Sequence, residues 1–490
     1  MKGVSAVLFA LFLAIQHKPI LAYKAAVLEY YSITGDSPQT TIKKNLEAYS
    51  IYADTAKSQS VDILVFPEYG LTTIVSDPTD YAVDLTDSSA DSVLTKLSNI
   101  ASERQIYVVV NLLEKERESN TATKYYNTDL VLDKNGAVIL KYRKINLFQE
   151  DMLTPGDANQ TQTFTTTFGV TFGIFTGYDI LFHYPSRNIF KNSDVTDVVY
   201  SSAWTSYMPF LTSLSTQQGY TTANGINLLA ASYGRPKEGH GGSGIFLPNG
   251  KAAELYIADS ASTKIIIQEV PKISSRAEKS VCSGITPFGL PGNLNKSNVI
   301  NYKTYTIFDS SRYNFKNVDM SQRTSTLDVC HSGFCCTFEI TLDVSSVVSS
   351  DIYKLAAFDG IVKIDDTNHH VRICSLLACE NDSNDSCGNR LESTNTKFTK
   401  LTAKGNLKRE DKTFYVPITV DSFLLPMQQT KFCNNRNETN STYVELTTLQ
   451  AQTDVLVFGL LGKTVSAAAS VHALGFFVLV AFIIVKSVAI

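Results

Sequence analysis

Residues 168 to 185 read FGVTFGIFTGYDILFHYP. The run Val170 to Phe175 is apolar with no helical spacing, which predicts a buried strand. It breaks at Thr176-Gly177-Tyr178 and passes to Asp179-Ile180-Leu181-Phe182, an apolar helix start. A strand that turns sharply into a helix is the elbow by which α/β enzymes hold a nucleophile above a sheet. Gly177, with no side chain, stands at its apex.

Strands and helices alternate on both sides of this elbow. Ala25 to Tyr30 and Ile63 to Phe66 are apolar runs, and between them Ile42, Leu46, Tyr49, Ala53 and Ala56 recur at steps of three and four, one face of a helix. Val93, Leu94, Leu97, Ile100 and Ala101 mark a second helix, followed by the strand Ile106 to Val110. Asp129 to Leu132 and Ala137 to Tyr142 form a hairpin turned at Asn135-Gly136. Val195 to Ser201, Leu228 to Ser232 and Ile265 to Val270 continue the pattern, the last after a hairpin at Pro248-Asn249-Gly250. The first half is therefore an α/β domain.

All eight cysteines, Cys282, Cys330, Cys335, Cys336, Cys374, Cys379, Cys387 and Cys433, lie beyond position 280. An even set confined to one half suggests disulfides, with the adjacent Cys335 and Cys336 taking different partners. No paired Cys-x-x-Cys spacing is present, so no metal site is expected. Period-two alternation in Thr337 to Val344, Val371 to Leu377, Thr413 to Val420 and Tyr443 to Thr448 makes this region β-rich.

The two ends carry targeting signals. Met1-Lys2, the apolar run Val7 to Ile15 and Ala22-Tyr23 read as a secretory signal cut near Ala22. Ala473 to Val485 is a hydrophobic tail after the small residues Ser466-Ala467-Ala468, the pattern of a glycolipid anchor signal, with a single membrane span as the alternative. Sequons at Asn159, Asn295, Asn381, Asn384, Asn437 and Asn440 suit a glycosylated extracellular chain. A net charge of -4 gives no basic field for phosphate backbones, so nucleic acid is not an expected partner. The expected division is a signal peptide (1-22), an α/β domain (23-285), a disulfide-stapled β-rich domain (290-452), and a linker with anchor signal (453-490).

Three phrases in fixed order, Glu68 in VFPEYG, Lys144 in YRKINLFQE and the elbow, together with Thr154-Pro155-Gly156, resemble the nitrilase (carbon-nitrogen hydrolase) superfamily and within it the vanin/biotinidase branch. The resemblance implies a four-layer αββα sandwich with a smaller β domain behind it, and cleavage of a pantetheine-like or biotin-like amide without a cofactor. Amide hydrolysis requires a thiolate, a base for its proton and a cation with N–H donors for the oxyanion. By resemblance Glu68 is the base, Lys144 the oxyanion stabiliser, the Tyr178 N–H a further donor and Glu150 a supporting carboxylate. Gly177 then occupies the nucleophile position where that branch has Cys, which implies an impaired enzyme. Two alternatives stand beside this: an active hydrolase using water or another nucleophile such as Ser201 or Ser202, and a non-catalytic surface interaction protein.

Overall fold

The computed structural model describes residues 22–119, 122–277, 299, 301–364, 367–408, 413–436 and 441–464. The expected signal and the C-terminal tail lie outside these, as do Asn295, Asn437 and Asn440. Among the described residues no helix is long and apolar enough to cross a membrane.

The first half is one strongly curled sheet whose central path runs Val138–Arg143, Thr123–Leu132, Tyr107–Arg117, Ile63–Val65, Ala22–Tyr30, Asn227–Tyr233, Val195–Ser202, Thr171–Thr176 and Thr163–Thr165. Alternation along the Ala22–Tyr30 strand shows how the layers arise. Ala26, Leu28 and Tyr30 pack with Ile42, Leu46, Tyr49 and Ala53 of the helix Pro38–Ser58 and with Leu97 and Ile100 of the helix Val93–Arg104. Tyr23, Ala25 and Val27 point the other way, into a core shared with Val109 and Val131 from one half of the sheet and Ile174, Val198 and Leu228 from the other. Two sheet halves thus face each other between helices, the αββα sandwich. The second outer layer is the helix Ser213–Asn224, which packs on the strands Asn227–Tyr233 and Ser243–Phe246.

That helix gives no apolar periodicity, yet nearly all of it is buried. It is buried through hydrogen bonds instead: Gln217 Nε2 donates to the Gly242 carbonyl, and Gln218 Nε2 to those of Gly250 and Met427. Met427 belongs to the second domain, so the helix is a seam between the two.

The second domain stacks two five-stranded sheets. One runs Asn314–Asn317, Ile352–Ile364, Thr367–Cys379, Val455–Thr464, Phe414–Asp421; the other runs Thr324–His331, Phe334–Leu342, Phe398–Lys408, Ser441–Thr448, Thr430–Arg436. Cys336–Cys374 ties the sheets together, Cys330–Cys335 closes a hairpin, and Cys379–Cys387 pins the chain leaving the first sheet. Cys433 is also disulfide-bonded. Cys335 and Cys336 do take different partners.

Two expectations need correction. Val455–Thr464 is a strand held between Thr367–Cys379 and Phe414–Asp421, so the segment after 452 is part of the domain and not a linker. Its buried apolar run is too short and too uniform to distinguish a strand from a hydrophobic linker by pattern. At the elbow, the chain enters a tight 3-10 turn, Gly177–Leu181, in place of a continuous α-helix, and the turn ends where Phe182 takes up extended backbone ahead of the short helix His183–Ser186.

Candidate active site

Each of the three phrases ends a strand, and the strands bring them to one place. Glu68 follows Ile63–Val65, Lys144 follows Val138–Arg143, and Gly177 follows Thr171–Thr176. In open α/β sheets the crevice beyond the carboxyl ends of parallel strands is where ligands bind. Here a cavity of about 630 Å³ opens there, lined by Glu68, Lys144, Glu150, Gly177, Tyr178 and Trp204 among others.

Glu68, Lys144 and Glu150 form one buried cluster. Lys144 Nζ lies 2.7 Å from Glu68 Oε1 and 2.7 Å from Glu150 Oε2. Asn127 Nδ2 donates to both carboxylates, at 2.8 Å to Glu68 Oε1 and 2.7 Å to Glu150 Oε1. The backbone N–H of Ala203 donates to Glu68 Oε2 at 2.8 Å, so every oxygen of Glu68 is aimed by a donor on a separate strand end. Tyr69 O–H and the Phe148 N–H complete Glu150.

The charges do not cancel, since one ammonium faces two carboxylates. Burial pushes the Glu68 carboxyl up, against the pull of Lys144 and with the help of the Glu150 charge. For Glu150 burial is outweighed by Lys144 and by the Tyr69 and Asn127 hydrogen bonds, which hold it below the usual carboxylate range. Lys144 stays an ammonium: burial opposes its charge, but Glu150 and Glu68 outweigh it. Of the two carboxylates, Glu68 is therefore the one poised to take a proton, while Lys144 supplies a fixed, buried positive charge.

The elbow is held from beneath. Thr176 Oγ1 donates to Asp129 Oδ2 at 2.7 Å, Tyr142 O–H to Asp179 Oδ2 at 2.6 Å, and the Asn146 N–H to Asp179 Oδ1 at 2.8 Å. Between these anchors Gly177 adopts φ +50°, in the left-handed region that strains residues with a Cβ. A Cβ built on it would stand 2.5 Å from Glu68 Oε2. The apex thus faces the carboxylate directly.

The substitute nucleophiles do not reach the site as free hydroxyls. Ser201 Oγ donates to the Phe66 carbonyl and Ser202 Oγ to that of Ala231, and both residues are fully buried in the sheet. Tyr178 lines the cavity, with its hydroxyl 2.7 Å from His369 Nε2 of the second domain. Trp204 closes another wall, its indole N–H bound to the Leu211 carbonyl.

Asn127, Asn111, Asp129 and Tyr69 escape a motif-based reading. Asn111 Nδ2 bridges Asn127 Oδ1 and Asp129 Oδ1, and Asn111 Oδ1 accepts the Tyr69 N–H. A signal for them exists: Asn127 and Asp129 are polar residues two apart in a strand that is buried from Tyr126 to Leu132, and Asn111 pairs with Asp129 across the ladder. Polar residues at period two inside a buried strand require partners.

Such a fold, with a Glu–Lys–Glu cluster at the strand ends, defines a carbon-nitrogen hydrolase, and residues 24–272 match that family (Carbon-nitrogen hydrolase). Residues 302–467 match the Vanin C-terminal domain. Vanin-like protein 1 of Drosophila melanogaster is 30% identical over 90% of this chain and 85% of its own. Pantetheinase of Sus scrofa is 27% identical over 82% of each, and that of Homo sapiens 26% identical over 78% of this chain and 79% of its own. The chain belongs to the carbon-nitrogen hydrolase (nitrilase) superfamily, in its vanin-like branch.

Proposed function

We propose that this chain is a vanin-like homologue that binds a small pantetheine-type or biotinyl-type amide and turns it over very slowly or not at all, because Gly177 stands where the nucleophilic Cys belongs. One observation carries the reading: Glu68 and Lys144, joined at 2.7 Å, face a cavity of about 630 Å³ whose elbow presents no side chain. In this reading Glu68 is the base, Lys144 and the Tyr178 N–H would meet the carbonyl oxygen, and Glu150 holds Lys144 in place. The relatives named pantetheinase favour pantetheine as the first ligand to try.

The alternative is catalysis by water held in the space of the missing side chain and activated by Glu68, whose Oε2 faces that space. The test is calorimetric titration of the purified protein with pantetheine, alongside an assay for released amine. Saturable binding without turnover is expected. Turnover abolished by Glu68→Gln would establish the water-using alternative, and absence of binding would favour a surface interaction protein.

The same proposal places the mature chain outside the cell, beginning near Tyr23 and glycosylated at the exposed Asn159, Asn381 and Asn384. A C-terminal lipid would hold it there. Release from intact cells by a phospholipase that cuts glycolipid anchors checks this, and full retention with the tail intact contradicts it.

A further inference from the structure

Lys463 lies on the strand Val455–Thr464, between the two domains. It is 7% exposed, and its Nζ has no hydrogen-bond partner among the described residues. The nitrogen sits 3.9 Å from the centroid of the Phe182 ring and 5.9 Å from that of Tyr178. A buried amine with no acceptor has given up its hydration with no protein partner in return. Nothing in the amide-binding cluster uses it.

Two cavities, of about 30 and 40 Å³, meet at this residue and share Leu181, Phe210 and Leu461 as walls. Each has room for a group of a few heavy atoms, since one water needs roughly 10–15 Å³ on this measure. The walls are mostly aliphatic and aromatic, with Ser215, Thr216 and Tyr220 in one and Tyr313 and His369 in the other. Lys463 is the one Lys or Arg in either lining, and neither cavity has a carboxylate in its wall. The chemistry that fits is a single anionic acceptor group on a short apolar chain. A phosphate, with more charge and more acceptor oxygens, would need further cations, which these walls lack.

We propose that Lys463 is the anchor of a second ligand site, at the domain interface behind the elbow, for a short-chain aliphatic monocarboxylate whose tail fills the paired cavities. The titratable groups around the amine and its cavities are His369 and Tyr178, joined to each other, and the phenols of Tyr220 and Tyr313, which burial pushes up and keeps neutral. Burial, reinforced by Lys463, pushes His369 down to about 3, so it remains neutral and does not compete for the carboxylate. Burial also pushes Lys463 well below the usual lysine range. Burial disfavours the ammonium in the empty site, and a carboxylate placed beside the amine favours it, so binding raises the amine's hold on its proton. Any proton exchanged with solvent on binding is therefore taken up, not released.

The experiment titrates the full-length protein and Lys463→Met with butyrate and hexanoate, following Tm and binding heat in two buffers of different ionisation enthalpy. Methionine keeps the volume and removes the unpaired amine, so that variant folds with a Tm at or above wild type. Wild type should show a saturable upward shift in Tm with no release of protons, and Lys463→Met should lose about tenfold or more in affinity. Equal shifts in both proteins, no shift in wild type, or proton release on binding would each overturn the proposal.

Discussion

Glu68 Oε2 lies 2.5 Å from the point at which a Cβ on Gly177 would stand. The carboxylate is held there by the Ala203 N–H, and its other oxygen is held by Lys144 and Asn127. The Glu68 carboxylate and the elbow apex thus face each other with no third group between them. The arrangement keeps the components that would surround a reacting carbonyl while leaving out the atom that would attack it.

Removing the cation should expose how costly this cluster is. In Lys144→Met, Glu68 and Glu150 would remain buried with no compensating charge, and breaking such a pair costs about 3–5 kcal/mol. Urea unfolding should show a loss of that order. Adding Glu68→Gln to Lys144→Met removes one of the two stranded charges, so the double variant should be more stable than Lys144→Met alone. A double variant that is further destabilised by the full cost of each change would contradict the coupling.

A second prediction concerns pH. Burial pushes Asp129 up to about 7, against the hydrogen bonds from Asn111 and Thr176. An unfolded aspartate titrates near 4, so between about pH 4 and pH 7 the folded chain keeps a proton that the unfolded chain gives up. The stability linked to that proton is complete below about pH 4 and is lost as pH rises through about 7. Glu29, raised to about 7 by burial, acts in the same direction. Asp129→Asn mimics the protonated form, so its Tm relative to wild type should be higher at pH 7.5 than at pH 4.5. Equal differences at the two pH values would show that Asp129 does not titrate in this range.

How much of this was legible before the structure depends on what each residue does. The helix Pro38–Ser58 could be read because Ile42, Leu46, Tyr49, Ala53 and Ala56 bury an apolar stripe, and all five are buried as expected. Glu68, Lys144 and Glu150 could be singled out because three phrases occur in family order, and the strand ends bring them within hydrogen-bond distance. Ser213–Asn224 could not be read, because Gln217 and Gln218 are buried by carbonyl partners far along the chain. Asn127 is likewise invisible to motif reading, since its role is to join two carboxylates that are distant in sequence. The link from Tyr178 to His369 spans two domains and leaves no local trace.

The central claim, a preserved site that lacks only its nucleophile, is tested most directly at Gly177. A side chain there costs about 1–2 kcal/mol for the left-handed backbone, and the Glu68 carboxylate must swing aside to admit it. An elbow that holds a nucleophile carries such strain by construction. Wild type has no free cysteine among the described residues, so it offers no thiol at the site. The measurement is amine release from pantetheine by wild type and Gly177→Cys, with alkylation of Cys at 177 followed by mass spectrometry. Loss of a nucleophile from a cooperating set costs on the order of a millionfold in rate, so restoring it should raise turnover by a large factor over wild type and create one reactive thiol. A folded Gly177→Cys protein that is alkylated yet releases no amine, or a wild type that already turns over as fast, would contradict the account.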